Sequence, residues 1–232
     1  MSIYAIGDLH LPGNAQKPMN VFGSHWDRHF DIISERWRET ISDGDVVLIP
    51  GDISWAMQLK DAVGDLEAIA RLPGRKVLLR GNHDYWWSAL GKVRAALPAG
   101  MYAIQNDALL LEETVFCGTR GWVLPTPQQP LDEQDEKILA RECLRLRLSL
   151  EHAMRLAGGG RDIFVMTHYP PLLSDGAATA FTEVLEAYPV RQVVYGHLHG
   201  AGIKSAFQGR RAGIEYGLVS CDALGFCPKR VF

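Results

Sequence analysis

A chain of 232 residues with 47% hydrophobic content is long enough for one large domain or two small ones and can bury a core without disulfides. Its 24 Lys and Arg against 27 Asp and Glu leave a formal charge of −3, which excludes the broad basic field that holds a nucleic-acid backbone. The four cysteines, Cys117, Cys143, Cys221 and Cys227, form no Cys-x-x-Cys pair, and no stretch approaches the roughly 20 apolar residues of a membrane span. Free thiols, no membrane partner and a cytoplasmic location are the expectations, since the N-terminus also lacks the basic and apolar regions of a signal peptide.

The first apolar run, residues 3 to 6, is broken by Gly7-Asp8 and suits a buried strand ending in a functional loop. After a Pro- and Gly-rich loop, Phe30, Ile33, Trp37 and Ile41 recur at helical spacing behind an Asp27 cap, with Gly44 as the stop. Val46 to Ile49 is the second strand, closed by Pro50-Gly51-Asp52, and the following helix aligns Leu59, Val63, Leu66 and Ala70. Val77 to Leu79 is the third strand, and a helix is expected from about Tyr85 to Leu97. This alternation of strand and helix predicts a parallel sheet with ligands at the carboxyl ends of its strands.

After Pro98 the rhythm shifts to short runs at 101–104, 108–111 and 115–117, which read as antiparallel strands. A loop with Pro125, Pro127 and Pro130 precedes a long helix from Glu133 to Ala157, stopped by Gly158-Gly159-Gly160. Its charged residues Arg141, Glu142, Arg145 and Arg147 read as a solvated face. A strand over 163–166 ends at His168, a helix through Phe181 and Leu185 leads to a strand over 192–195, and Gly196-His197-Leu198-His199 follows. The remainder suggests a closing hairpin of 202–207 with 214–220. One α/β domain with a mixed two-part sheet over residues 1–232 is the expected organisation.

Five of the eight histidines, His10, His83, His168, His197 and His199, stand at strand ends beside Gly, Pro or Asp. Asp8 and His10 are two residues apart, as are His197 and His199, so a loop just past each strand can aim both side chains at one ion. Carboxylate with imidazole suits manganese, iron or zinc, whereas all-oxygen sets suit magnesium or calcium. Asp52 has two oxygens with which to bridge ions, and Asn82 offers a neutral oxygen.

Asp8-x-His10, Gly51-Asp52, Gly81-Asn82-His83-Asp84, His168 and Gly196-His197-x-His199 together resemble, in order and spacing, the five motif blocks of the calcineurin-like metallophosphoesterases. The resemblance covers residues 8 to 199 and implies an αββα fold, two mixed β-sheets packed as a sandwich flanked by helices. It implies two divalent ions, one held by Asp8, His10, Asp52 and His199, the other by Asp52, Asn82, His168 and His197. His83 would face the substrate as electrostatic stabiliser or proton donor, with Asp84 orienting it. The implied reaction is phosphoester hydrolysis by a metal-bridging hydroxide, on a phosphodiester or phosphomonoester of a small molecule or nucleotide. A nuclease of the same superfamily is the alternative, which the charge balance argues against. A non-catalytic scaffold is a third reading, opposed by the presence of every expected ligand.

Substrate contacts are less defined. Trp55, Tyr85 and Trp86 could wall the pocket and stack on a base, although packing into the core at helix starts is the more economical account of such residues. Residues 17–26 read either as a lid or as an anchored surface loop. Arg120 offers a donor fork for phosphate or is structurally paired. The strings GDISW, GNHDYWW, GTRGW and HYPP also resemble a bacterial branch of the superfamily, a resemblance that names no substrate.

Overall fold

The structure is a computed structural model that describes residues 1–14, 19–126 and 128–232. The chain divides into two compact units, Met1–Ala103 with Val219–Phe232, and Ile104–Leu218. In the first lie strands β1 (Ile3–Ala5), β2 (Val46–Ile49), β3 (Arg75–Leu78) and β4 (Met101–Ala103), with helices α1 (His29–Thr40), α2 (Leu59–Ala70) and α3 (Leu90–Ala96). The second contains β5 (Ala108–Leu111), β6 (Thr114–Thr119), α4 (Glu133–Ala157), β7 (Asp162–Thr167), α5 (Ala180–Leu185), β8 (Val190–Tyr195), β9 (Gly209–Arg211) and β10 (Ile214–Leu218). The C-terminal strand β11 (Lys229–Arg230) belongs to the first unit.

Each unit has its own mixed sheet, ordered β11-β1-β2-β3-β4 and β5-β6-β7-β8-β10-β9, so the expected α/β class with two mixed sheets is correct. β1, β2, β3 and β4 run parallel, with Ile3 opposite Val46, Val46 opposite Arg75 and Lys76 opposite Met101. β4 was expected to join an antiparallel group. It is instead the parallel edge of the first sheet, because the connection from β3 to β4 is a crossover containing α3 rather than a hairpin turn. Among the named strands, β5 with β6, β9 with β10, and β11 with β1 pair antiparallel.

The first unit buries Ile33 and Trp37 of α1 and Ala62, Leu66 and Ile69 of α2 against Val47 and Ile49. The α2 face is therefore 62, 66 and 69, with Leu59 and Ala70 only flanking it. Arg28, not Asp27, precedes α1, in a left-handed conformation without a side-chain cap. The segment from Tyr85 to Ala89 is not helical: its backbone turns tightly, with Tyr85 N–H donating to His83 O and Trp87 N–H to Asp84 O, and the helix begins only at Leu90.

In the second unit α4 begins at an Asp132 cap, whose side chain accepts from the Asp135 N–H, and ends at left-handed Gly158, matching the expected limits. Its buried face holds Leu146, Leu150, Ala153 and Ala157. Glu142 is not on a solvated face: it is buried, accepting from Thr119 Oγ1 at 2.6 Å and pairing with Arg145 at 2.6 Å. The closing hairpin is smaller than expected, because Gly200–Ser205 is a 3-10 helix and the antiparallel partner of β10 is the three-residue β9, while β8 pairs with the other edge of β10 in parallel. Among the described residues no helix is long and apolar enough to cross a membrane.

Candidate metal centre

Each expected ligand lies one to five residues beyond the carboxyl end of a parallel strand, where open α/β sheets gather their ligands. Asp8 follows β1, Asp52 follows β2 and Asn82 follows β3; in the second unit His168 follows β7, and His197 and His199 follow β8. Three neighbouring parallel strands thus deliver one set, and two neighbouring parallel strands the other.

In the first unit the loops after β1 and β2 are zipped together. Asp8 N–H donates to Gly51 O, His10 N–H to Asp52 O and Leu11 N–H to Ile53 O, each at 2.9 Å, and Trp55 N–H returns to Leu11 O at 2.8 Å. The zipper holds Asp8, His10 and Asp52 in left-handed backbone, with φ of 57°, 46° and 52°. Such conformations are uncommon for residues with a side chain, and surrounding structure must enforce them. They aim three side chains at one spot: ligand atoms of Asp8 approach those of both His10 and Asp52 within 4.8 Å, and His10 Nε2 is 3.8 Å from Asp52 Oδ2. Asp8 is 0% exposed and Asp52 2%. Two buried carboxylates this close repel unless a cation lies between or beside them, and an adjacent imidazole completes a donor set for a borderline divalent ion.

The Gly81–Asp84 loop is fastened to the same structure. Asp52 Oδ1 accepts the His83 N–H at 2.8 Å. Asp84, fully buried, accepts through Oδ1 from Ile53 N–H (2.8 Å), Ser54 N–H (3.2 Å) and Trp86 Nε1–H (2.9 Å), and through Oδ2 from Gly81 N–H (2.7 Å). One carboxylate therefore joins the loops after β2 and β3. Half-buried His83 packs its ring 4.6 Å from that of Trp55, which stacks on His10 at 4.9 Å and 21°. Trp55 is thus a neighbour of two expected site residues. Trp86 is 1% exposed and part of the core, which corrects the expectation that it touches substrate; its aromatic neighbour Tyr85 is exposed, 6.1 Å from the His83 ring.

In the second unit the carbonyl of Arg120 accepts the N–H groups of both His168 and Tyr169 at 3.0 Å, and His168 O accepts from Gly196 N–H at 3.1 Å. These bonds bring the rings of His168 and His197 to 5.1 Å, with His197 in left-handed backbone at φ 73°. His168 is fully buried; His197 and His199 are half-buried. His199 opens the Gly200–Ser205 turn, its carbonyl receiving Gly202 N–H at 2.8 Å. The Arg120 guanidinium lies 4.7 Å from the Trp122 ring centroid, a cation–π contact.

Two positioning residues escape motif reading. Asp65 of α2 accepts from Gly13 N–H at 2.8 Å and Ser54 Oγ–H at 2.5 Å, tying both ligand loops to a helix. Burial pushes its carboxyl up, against the hydrogen bonds from Ser54 and Gly13. Cys221 donates its Sγ–H to Asp8 O at 3.1 Å, and its thiol is pushed well above the usual range by burial and then by Asp8 and Asp222. An acid on a helix face and a lone Cys give no sequence signal for these jobs. Of the loop expected at the mouth, residues 17 and 18 lie outside the described residues, as does Pro127; Trp26 is buried while Val21 and Phe22 are exposed.

An α/β chain with carboxylates and imidazoles assembled at strand ends fits a metal-dependent phosphoesterase. Residues 1–201 match the family model described as calcineurin-like phosphoesterase, and the chain belongs to that family. Among solved structures, it is similar to the phosphopantetheinyl hydrolase PptH from Mycobacterium tuberculosis, at 13% identity and TM-score 0.54, over 94% of this chain and 88% of that one. A protein of unknown function from Aquifex aeolicus, AQ665, matches at 14% identity and TM-score 0.47, over 98% and 94% of the two chains. No curated protein matches the sequence.

Proposed function

We propose that this metal-dependent phosphoesterase uses two divalent ions, manganese, iron or zinc, to hydrolyse a small phosphoester or a nucleotide in the cytoplasm. The family pattern assigns Asp8, His10, Asp52 and His199 to one ion and Asp52, Asn82, His168 and His197 to the other. The observation that carries the reading is the gathering of Asp8, His10 and Asp52, two of them buried anions, by three left-handed backbone turns. When bound, the ions supply Lewis acidity toward the phosphoryl oxygens and lower the pKa of water.

The chain's own residues do the positioning. Asp52 holds the His83 backbone, which sets that imidazole beside the ester and lets it donate a proton to the departing oxygen. Asp84 fixes the loop from which His83 projects and, in the family pattern, orients its ring. Trp55 packs against the His83 ring and limits its motion. Arg120 is a candidate for the phosphoryl oxygens, with its carbonyl already anchoring His168.

The test is a pair of variants assayed with saturating manganese on phosphomonoesters, phosphodiesters, cyclic nucleotides and single-stranded DNA. His83→Ala should retain metal, read by elemental analysis, and lose about 10²–10⁴-fold in turnover. Asp52→Ala should lose the metal itself. Full turnover by His83→Ala would overturn its assignment, and hydrolysis confined to DNA would make the protein a nuclease.

A further inference from the structure

A cavity of about 560 Å³ lies in the second unit with His197 in its lining. Its volume falls in the range of small-molecule sites. Trp122, Tyr169 and Leu173 give it apolar walls, and Tyr169 packs directly on the His197 ring, 4.2 Å between centroids. The aromatic wall is fixed: Trp122 Nε1–H donates to Asp135 at 3.0 Å, and the Trp122 and Tyr169 rings meet at 5.4 Å.

The polar lining has a definite sign. Asp135 and Asp175 contribute carboxylates, the other polar lining groups apart from His197 are hydroxyls and amides, and no Lys or Arg lines the cavity among the described residues. The nearby Arg120 guanidinium is applied to the Trp122 ring. Asp135 belongs to the first turn of α4 beside Glu133 and Glu136, so the partial positive charge of that helix end is answered by three acids.

We propose that this cavity receives the alcohol portion of the phosphoester and selects a neutral or cationic group with an apolar face over one bearing a further phosphate or carboxylate. The inference rests on the phosphoesterase reading, because only then does His197 mark the phosphoryl end of the bound ester. An apolar body buries against Trp122 and Tyr169, whereas an added anion would face Asp135 and Asp175 with no cation in the lining.

Three leaving alcohols on one framework test this: phenol, 4-(trimethylammonio)phenol and 4-hydroxybenzoate, each as the aryl phosphate and the aryl methyl phosphate, with the manganese-loaded protein. Comparing kcat/KM between wild type and the Asp135→Asn/Asp175→Asn double variant cancels intrinsic leaving-group reactivity. Relative to the phenyl ester, the variant should gain about fivefold on the carboxylate ester and lose about fivefold on the cationic one at low salt. Ratios unchanged within about twofold would overturn the proposal while leaving the phosphoesterase reading intact. If no ester is hydrolysed with manganese, zinc or iron, that reading fails, and the cavity is judged by binding alone. The Trp122 indole N–H resonance, identified by its loss in Trp122→Phe, should shift with phenol and 4-(trimethylammonio)phenol and far less with 4-hydroxybenzoate. Equal shifts with all three, or none, would overturn the selectivity.

Discussion

Gly81 and Asp52 approach so closely that a Cβ added to Gly81 would stand 2.1 Å from Asp52 Oδ1 and 2.2 Å from the Asp52 backbone nitrogen. The glycine is required by contact, since nothing larger than hydrogen fits where the loop after β3 crosses the loop after β2. Gly81→Ala must displace both the Asp52 backbone and a carboxylate oxygen that is held by the His83 N–H. A loss of roughly 1–3 kcal/mol in stability is expected from overpacking. Metal content should also fall, because Asp52 moves. Urea unfolding and elemental analysis of the same preparation check both, and normal metal retention would show that the loops can part without cost to the site.

Asp84→Asn separates a structural role from an electrostatic one. The carboxylate accepts from three backbone N–H groups and the Trp86 indole, and an amide of the same shape presents an NH₂ to at least one of those donors. Leaving a buried donor without its acceptor costs about 1–3 kcal/mol. The expected result is a lower urea midpoint with an unchanged slope, together with reduced turnover. Unaltered stability would mean that the loops after β2 and β3 do not depend on this carboxylate.

What could be read in the sequence was the part with short-range causes. Apolar runs broken by Gly-Asp or Thr-His give buried parallel strands with candidate ligands at their ends, and the Asp132 and Gly158 caps define α4 locally. What could not be read depends on partners distant in the chain. The turn that stands where a helix was expected over Tyr85–Ala89 follows Asp84, whose carboxylate is held by Ile53 and Ser54, 31 and 30 residues earlier. Glu142 is buried because Thr119, 23 residues away, supplies a hydroxyl. The candidate ligands' residue types were visible at the strand ends, but their left-handed backbone was not, since Asp8, His10 and Asp52 acquire it from the zipper between two loops.

Trp55 is expected to act through its neighbours. Its ring stacks on His10 and packs against His83, while its Nε1–H points to Met19 Sδ at 3.3 Å. Trp55→Ala removes the wall that limits both imidazoles, so turnover should drop about tenfold or more, since misplacing a reacting group by about an ångström can cost as much as 10²-fold. Trp55→Phe should restore most of the lost kcat by keeping an aromatic face. If Trp55→Ala instead raises KM alone with kcat unchanged, the indole contacts substrate rather than positioning histidines.

Lys76 supplies a pH-dependent test of the first unit. It lies in β3, only 2% exposed, and its ammonium donates to the carbonyls of Ala70 and Leu72 at the end of α2. Burial pulls its pKa down from 10.5 to about 8, with Asp43 opposing the shift. Between pH 8 and 10.5 the unfolded chain therefore binds more protons at this position than the folded one, and the contribution of Lys76 to stability rises with pH. That contribution is complete above 10.5 and lost as pH falls through 8. Lys76→Met removes the titrating group, so the wild type should gain stability relative to the variant as pH is raised across this window. Urea midpoints at pH 7.5, 9 and 10.5, taken as wild type minus variant to cancel the titration of other lysines and tyrosines, read the slope directly. A difference that stays flat would place the ammonium in contact with solvent, and a negative slope would mean that the two carbonyls stabilise the charge more than burial penalises it.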